Sequence, residues 1–250
     1  AYIEARLRYF ELDYEGALDI VRPLLGRVEA ESPDSPIRLK AVRLVLRSLF
    51  YSDRFAACEA ELTRVAPVLE VDPWGRAHVA HLRAHLLALR GDESGCSDVL
   101  EAALASANAS CPEMRIVFSS ELAELAASRG DTEAARRRLM DAELLVADVY
   151  EAIAVRQVRS TVLTLLGEGV DRRVWVDLWH SCLRRNDKWR SSAVSAQLAL
   201  HDLGARHADL QASVALAVAA FEDVPHDEPP THAALARLGA SPDVPDALRA

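Results

Sequence analysis

The sequence predicts an all-α protein built from antiparallel helix pairs, and three observations carry that prediction. Half of the 250 residues are apolar, but only 6% are aromatic and most of the rest are Ala and Leu. Gly and Pro are scarce, at 10 and 11. Turn signals recur at near-constant spacing. Ala, Leu, Arg and Glu lose little side-chain freedom in a helix and do not compete for its backbone, so this composition favours helix cheaply. Stretches of alternating Val, Ile, Thr and Tyr long enough for strands are missing, which argues against a sheet.

The spacing is the most informative feature. Asp13, Asp53, Asp92 and Asp131 are separated by 40, 39 and 39 residues. Pro33, Pro73 and Pro112 follow at 40 and 39, and the small residues Ala17, Cys58, Cys96 and Ala135 at 41, 38 and 39. Three unrelated residue types mark one period. Each unit reads as two helices. In the third, Val79, Leu82, Leu86 and Leu89 place a helix over Ala77–Arg90. Gly91 stops it, because glycine tolerates the left-handed backbone that ends helices. Asp92 suits the N-cap of the next helix, which turns Cys96, Leu100, Ala103 and Leu104 inward. Pro73 and Gly75 separate this unit from the one before. A helix pair cannot bury both faces alone, so successive pairs must stack.

From residue 148 the pattern loosens. Tyr150–Leu166 and Arg172–Arg184 form a fifth pair around Gly167, Gly169 and Asp171. Trp189–Leu203 and Arg206–Phe221 form a sixth, turned at Gly204. Trp175, Trp179 and Trp189 are expected to anchor its packing. The expected organisation is four pairs over 1–147, two divergent capping pairs over 148–222, and over 223–250 the loop VPHDEPP, a short helix at Thr231–Leu238 and a polar tail.

These units resemble the tetratricopeptide repeat. The third carries the likeness in Ala84, Leu87, Gly91, Asp92, Cys96, Leu100, Ala103 and Leu104, and the fourth in Leu122, Ala123, Ala126, Gly130, Asp131, Ala135, Leu139 and Ala142. The second contributes Val45, Leu46, Leu49, Phe55, Cys58 and Leu62, and the first Ala5, Tyr14, Ala17, Val21 and Leu24. The period departs from the family's roughly 34 residues. The large aromatic early in the first helix is replaced by Val42, Ala80 and Ser119, and the closing proline moves into a longer linker. The resemblance implies a right-handed superhelix, an α-solenoid of about six pairs, whose first helices line a concave groove. Stretched units of this kind look like the arrays in large bacterial signalling and transcriptional regulators.

Several function classes are disfavoured. A net charge of −9 opposes general nucleic-acid binding, which needs a basic surface. No apolar run approaches the roughly 20 residues that span a bilayer. The chain opens at Ala1 almost inside a helix and reads as a piece of a longer protein. Four isolated cysteines without metal or redox spacing are expected to be reduced thiols in a cytoplasmic protein. Phosphate-cradling loops, HExxH, nucleophile elbows and CxxC pairs are missing, so neither enzymatic activity nor a cofactor is expected.

His78, His81 and His85 are spaced i, i+3 and i+7 and share one side of a helix. His81 and His85 could chelate zinc with Glu124 as a third ligand; a solvated polar stripe is the plainer alternative, and no metal is expected. In the repeat's register the three histidines fall on the groove-lining stripe. The same stripe carries Arg6, Tyr9 and Phe10 in the first unit, and Lys40, Arg43, Arg47, Phe50 and Tyr51 in the second. The fourth supplies Ile116, Ser120 and Glu124. Glu59, Glu61, Asp98 and Glu101 lie on the second helices, so charge is expected to segregate. Positive charge in a groove attracts anions, and the resemblance implies a protein partner: an acidic peptide or helix. Tyr9, Phe50 and Tyr51 are expected to supply apolar contact, and protonation of the histidines below about pH 7 to strengthen binding. Two alternatives stand beside this: an effector-sensing arm of a regulator, and a structural or self-association scaffold.

Overall fold

The computed structural model describes residues 1–32, 34–107, 111–185, 187–223, 237–241 and 243–244. Pro33, the VPHDEPP loop, residues 231–236 of the expected short helix and most of the tail lie outside the described residues, as do the side chains of Trp189 and Phe221.

The class is all-α. Among the described residues the helices of the two-helix pairs run α1 (Tyr2–Phe10), α2 (Tyr14–Glu31), α3 (Pro36–Tyr51), α4 (Phe55–Leu69), α5 (Pro73–Leu89), α6 (Glu93–Ser106), α7 (Pro112–Ser128), α8 (Thr132–Glu143), α9 (Val149–Leu165), α10 (Arg172–Arg184), α11 (Lys188–Ala205) and α12 (Leu210–Asp223). No strand occurs among the described residues. None of their helices is long and apolar enough to cross a membrane. The chain divides into two compact units, Ala1–Cys111 and Pro112–Ala250, with the division falling between the third and fourth pairs.

The repeat is written in the helix-to-helix turns. Leu12, Asp53, Gly91, Gly130, Gly167 and Arg206 all adopt left-handed backbone, with φ between 50° and 76°. The next residue's amide reaches back to a carbonyl five residues earlier: Asp13 to Arg8, Arg54 to Leu49, Asp92 to Leu87, Asp131 to Ala126, Glu168 to Leu163 and His207 to Asp202, at 2.8–3.0 Å. This closes the preceding helix and satisfies orphan carbonyls. Asp13, Asp92 and Asp131 then cap the following helix, accepting from the amides of Gly16, Gly95 and Ala134 at 2.9–3.0 Å.

Two details of the register differ from the sequence reading. Asp53 is the left-handed residue itself (φ 57°), and Arg54 takes the N-cap place without a side-chain bond. Asp tolerates this conformation better than most residues, which lets it stand where its sister turns use Gly. At the sixth turn Gly204 stays within α11, and Arg206 makes the reversal. The third unit's first helix also starts earlier than expected. Pro73 occupies its first turn, where a missing amide hydrogen costs nothing. Asp72 caps it through the amides of Trp74 and Gly75, at 2.9 and 3.2 Å. Gly75 is there for clearance, since a Cβ would lie 1.8 Å from the Leu69 carbonyl oxygen.

In the first unit α2 and α4 each pack between their own partner and the next pair's first helix, α2 on α1 and α3, α4 on α3 and α5. The small residues of the repeat, Ala17 and Cys58, are fully buried at these seams, and the Cys58 thiol donates to the Leu46 carbonyl at 3.5 Å. Leu18, Val21, Leu46, Leu49, Leu69 and Leu100 complete the core. Each such side chain contributes about 1.5–3 kcal/mol relative to exposure.

In the second unit α7 packs against α8 and α9, and α11 lies between α10 and α12. Residues 191–199 of α11 are buried without interruption, which marks the central helix. Its small Ser and Ala residues let neighbours approach, and the Ser191 and Ser195 hydroxyls donate back to the carbonyls of Lys188 and Ser192. Trp175, Leu178, Cys182, Val194 and Leu198 form one core cluster, with Trp179 partly buried against it. Leu238 and Val244 join Val214 and Ala217 in another. An ion pair is built into this packing. The fully buried Asp202 accepts from Arg172 Nε at 2.8 Å and Nη2 at 3.1 Å, and Arg172 Nη2 also meets Asp209 at 3.2 Å.

Candidate functional site

The histidines and arginines singled out in the sequence meet on one face of the first unit, formed by α1, α3 and α5. On α3, Arg43, Arg47 and Phe50 follow one another at near-helical spacing and look toward α5. Arg43 Nη2 bonds Asp72 at 3.2 Å, and its guanidinium lies 5.6 Å from the centre of the Trp74 ring. Asp72 therefore serves twice, as cap of α5 and as partner of Arg43. Phe50 meets His85 with ring centres 5.6 Å apart, and His85 meets His81 at 4.3 Å. Arg47 lies over Tyr9 of α1 at 5.9 Å, a geometry in which the ring's negative face attracts the cation.

The aromatic residues form a seam under these charges. Tyr9 touches Tyr14 and Tyr51 at 5.5 and 6.0 Å, Tyr14 stacks on Tyr51 at 5.8 Å, and Tyr51 meets Phe50 at 5.4 Å. Tyr9 and Phe50 are buried in it, at 9% and 2% exposure. They support the face from beneath instead of offering apolar contact. Half-buried Tyr51 and exposed Phe10, over which Arg6 sits at 5.3 Å, are the aromatic surfaces left for that role.

His78 departs further from expectation. It is 4% exposed, its ring lies 6.4 Å from that of Trp74, and neither ring nitrogen has a hydrogen-bond partner. Burial, reinforced by the charges of Arg47, His81 and Arg43, holds it well below the ordinary imidazole range. It is a neutral packing residue, closed to a ligand and to titration near neutral pH. His81 and His85 are half-buried, while Arg6, Lys40 and Arg47 are exposed. Glu124 is half-buried on α7, a helix of the second unit.

The second-helix face is less acidic than the sequence reading held. Arg54 pairs with Glu15 at 3.1 Å, Arg64 with Glu61 at 2.6 Å and Glu29 at 3.3 Å, and Arg90 with Glu59. Arg54 and Arg64 thereby tie α4 to α2, and Arg90 ties the end of α5 to α4, so the ion pairs offset much of the acidic charge there. Arg54 and Arg90 lie at helix ends, where the apolar pattern that guided the register is silent. Asp72 and Trp74 were likewise missed as site residues; the Asp-Pro capping signature was the signal that could have placed them.

None of the four cysteines is in a disulfide, and all are buried. Burial, with the charges of Glu59 and Glu61, pushes the Cys58 thiol up to about 12. Burial foremost pushes Cys182 to about 11. Both are small apolar fillers and not nucleophiles, which would need a stabilised thiolate. In the second unit a recess of about 430 Å³ is lined by Asp171, Arg172, Arg173, Val176, Asp177 and His207. Its charges are mixed, and Arg172 is already committed to Asp202 and Asp209. Comparison with known proteins finds no matching family model, no matching curated relative and no matching solved structure.

Proposed function

We propose that the α1–α3–α5 face of the first unit binds an acidic peptide or partner helix, in a tetratricopeptide-like stack that forms part of a larger bacterial regulator. One observation carries the reading. Arg43 and Arg47 share one side of α3, where Arg43 reaches Asp72 and Trp74 at the start of α5 and Arg47 lies over Tyr9 of α1, in a chain whose net charge is −9. Local positive potential in an otherwise acidic protein steers anions to that face. Exposed guanidinium groups hold carboxylates by paired, charge-assisted bonds. Arg47, Lys40 and Arg6 would carry the contact. Arg43, half-buried and paired to Asp72, positions Trp74 and the start of α5.

The test is fluorescence anisotropy with a labelled octaglutamate peptide at low and physiological salt. Binding should weaken with salt, and Arg47→Glu with Lys40→Glu should reduce affinity by at least about tenfold, or about 1.4 kcal/mol. Equal affinity for the wild type and the double variant would remove the proposal. His78, buried and neutral, takes no part in any gain in affinity on acidification.

A further inference from the structure

The first helix exposes a stripe that its counterparts bury. Setting the left-handed residues Leu12, Asp53 and Gly91 in register places Ile3 of α1 opposite Leu44 of α3 and Leu82 of α5, and Leu7 opposite Ser48 and Leu86. The contrast in exposure is large. Leu44 and Leu82 are 6% and 5% exposed against 74% for Ile3; Ser48 and Leu86 are 0% and 5% against 57% for Leu7. Phe10, one turn on, shows no such contrast, since it is 63% exposed and its counterpart Leu89 is 38% exposed. By contrast Ala5, Leu46 and Ala84, which occupy another shared position, are all fully buried. The helices therefore agree on one face and differ on one stripe. What distinguishes α3 and α5 is a preceding second helix: α2 lies on α3, and α4 on α5.

We propose that Ile3 and Leu7 form the seat of one further amphipathic helix, lying along α1 as α4 lies along α5. The interface repeated inside the unit prescribes the chemistry of this occupant. In α4 the buried positions include Cys58, Leu62, Val65 and Leu69, with Ala66 beside them, a small residue followed by branched apolar ones four, seven and eleven places on. This spacing lines one helical face. The area argues for a single helix. Two side chains expose at most a few hundred Å² of apolar surface, well below the roughly 800 Å² per partner of a stable protein–protein interface. The seat lies outside the acidic-peptide face and does not depend on it.

The experiment titrates the full chain into a fluorescein-labelled peptide of residues 54–70, with a peptide of the same composition and scrambled apolar positions as control. The α4 peptide should bind saturably and the scrambled one should not. Leu7→Lys should weaken binding by at least about tenfold, whereas Arg47→Glu should leave it unchanged. Leu7 is exposed, so its replacement spares the core, and an unchanged circular dichroism melt confirms this. No binding up to about 1 mM peptide, or equal binding to the Leu7→Lys variant, would overturn the proposal. So would sedimentation showing wild-type dimers that Leu7→Lys dissolves, since the stripe would then belong to a second copy.

Discussion

Replacing Asp202 with Ala tests the account of the second unit most sharply. The carboxylate is fully buried and accepts from Arg172 at 2.8 and 3.1 Å, while the Arg172 side chain keeps 27% exposure and a second partner in Asp209 at 3.2 Å. Removing one member of a buried pair costs about 3–5 kcal/mol, mostly because the other charge is stranded. Here the stranded guanidinium retains water and Asp209, so Asp202→Ala should cost about 3 kcal/mol, at the low end of that range. Arg172→Met leaves a carboxylate with no solvent at all and should cost more, about 4–5 kcal/mol. The asymmetry is the diagnostic part. Three of the four tryptophans, Trp175, Trp179 and Trp189, lie in this unit, so urea unfolding followed by Trp fluorescence in a Trp74→Phe background reports on it. With a slope of about 2 kcal/mol per molar, the midpoint should fall by about 1.5 M for Asp202→Ala. A loss below about 0.5 kcal/mol, as expected of a surface pair, would refute the reasoning, as would Asp202→Ala proving the more harmful variant.

The same pair sets a pH dependence. Burial alone would raise the Asp202 carboxyl, but hydrogen bonds from Arg172 and Ser213 and the Arg172 charge outweigh it and hold the group below its ordinary value. A depressed acid contributes stability that is fully present above its unfolded value, about 3.9, and lost as pH falls through the folded value. Wild-type stability should therefore decline on acidification more steeply than that of Asp202→Asn.

Two further outcomes follow from the turns and the thiols. Leu12→Gly should stabilise the first unit by about 1 kcal/mol, because Leu12 pays the left-handed penalty at φ 66° that Gly91 avoids; a fall in the first unit's unfolding midpoint, read by circular dichroism, would contradict this. Cys58 and Cys182, buried and pushed to about 12 and 11, should react with a thiol reagent at about pH 8 only as fast as the chain opens. Rapid labelling without denaturant would show a thiolate where the packing allows none.

Much of the fold was legible because its determinants are local. Asp92 and Asp131 cap, and Gly91 and Gly130 reverse the chain, through contacts with residues at most five places away. Composition and spacing report such contacts directly. Asp53 and Arg206 were harder: both stand where glycine is the usual marker, and only the backbone shows that they make the same turn. Helical periodicity grouped Arg43 with Arg47 and His81 with His85, whereas bringing the two pairs onto one face took the tetratricopeptide resemblance and not a local pattern.

Depth and partners were not legible. Periodicity places His78 beside His81 and His85 but carries no measure of burial; the approach of Trp74 and the α3 arginines makes the first a neutral core residue and leaves the others half-buried. The ion pairs Arg54–Glu15, Arg64–Glu29 and Arg90–Glu59 join residues 31 to 39 apart, and the Asp202–Arg172 pair joins residues 30 apart. The sequence by itself thus determined where this chain is helical, where it turns and which residues share a side. The tertiary structure decided which of those residues are neutralised, buried or open, because each depends on side chains brought together by packing across distances that no local pattern encodes.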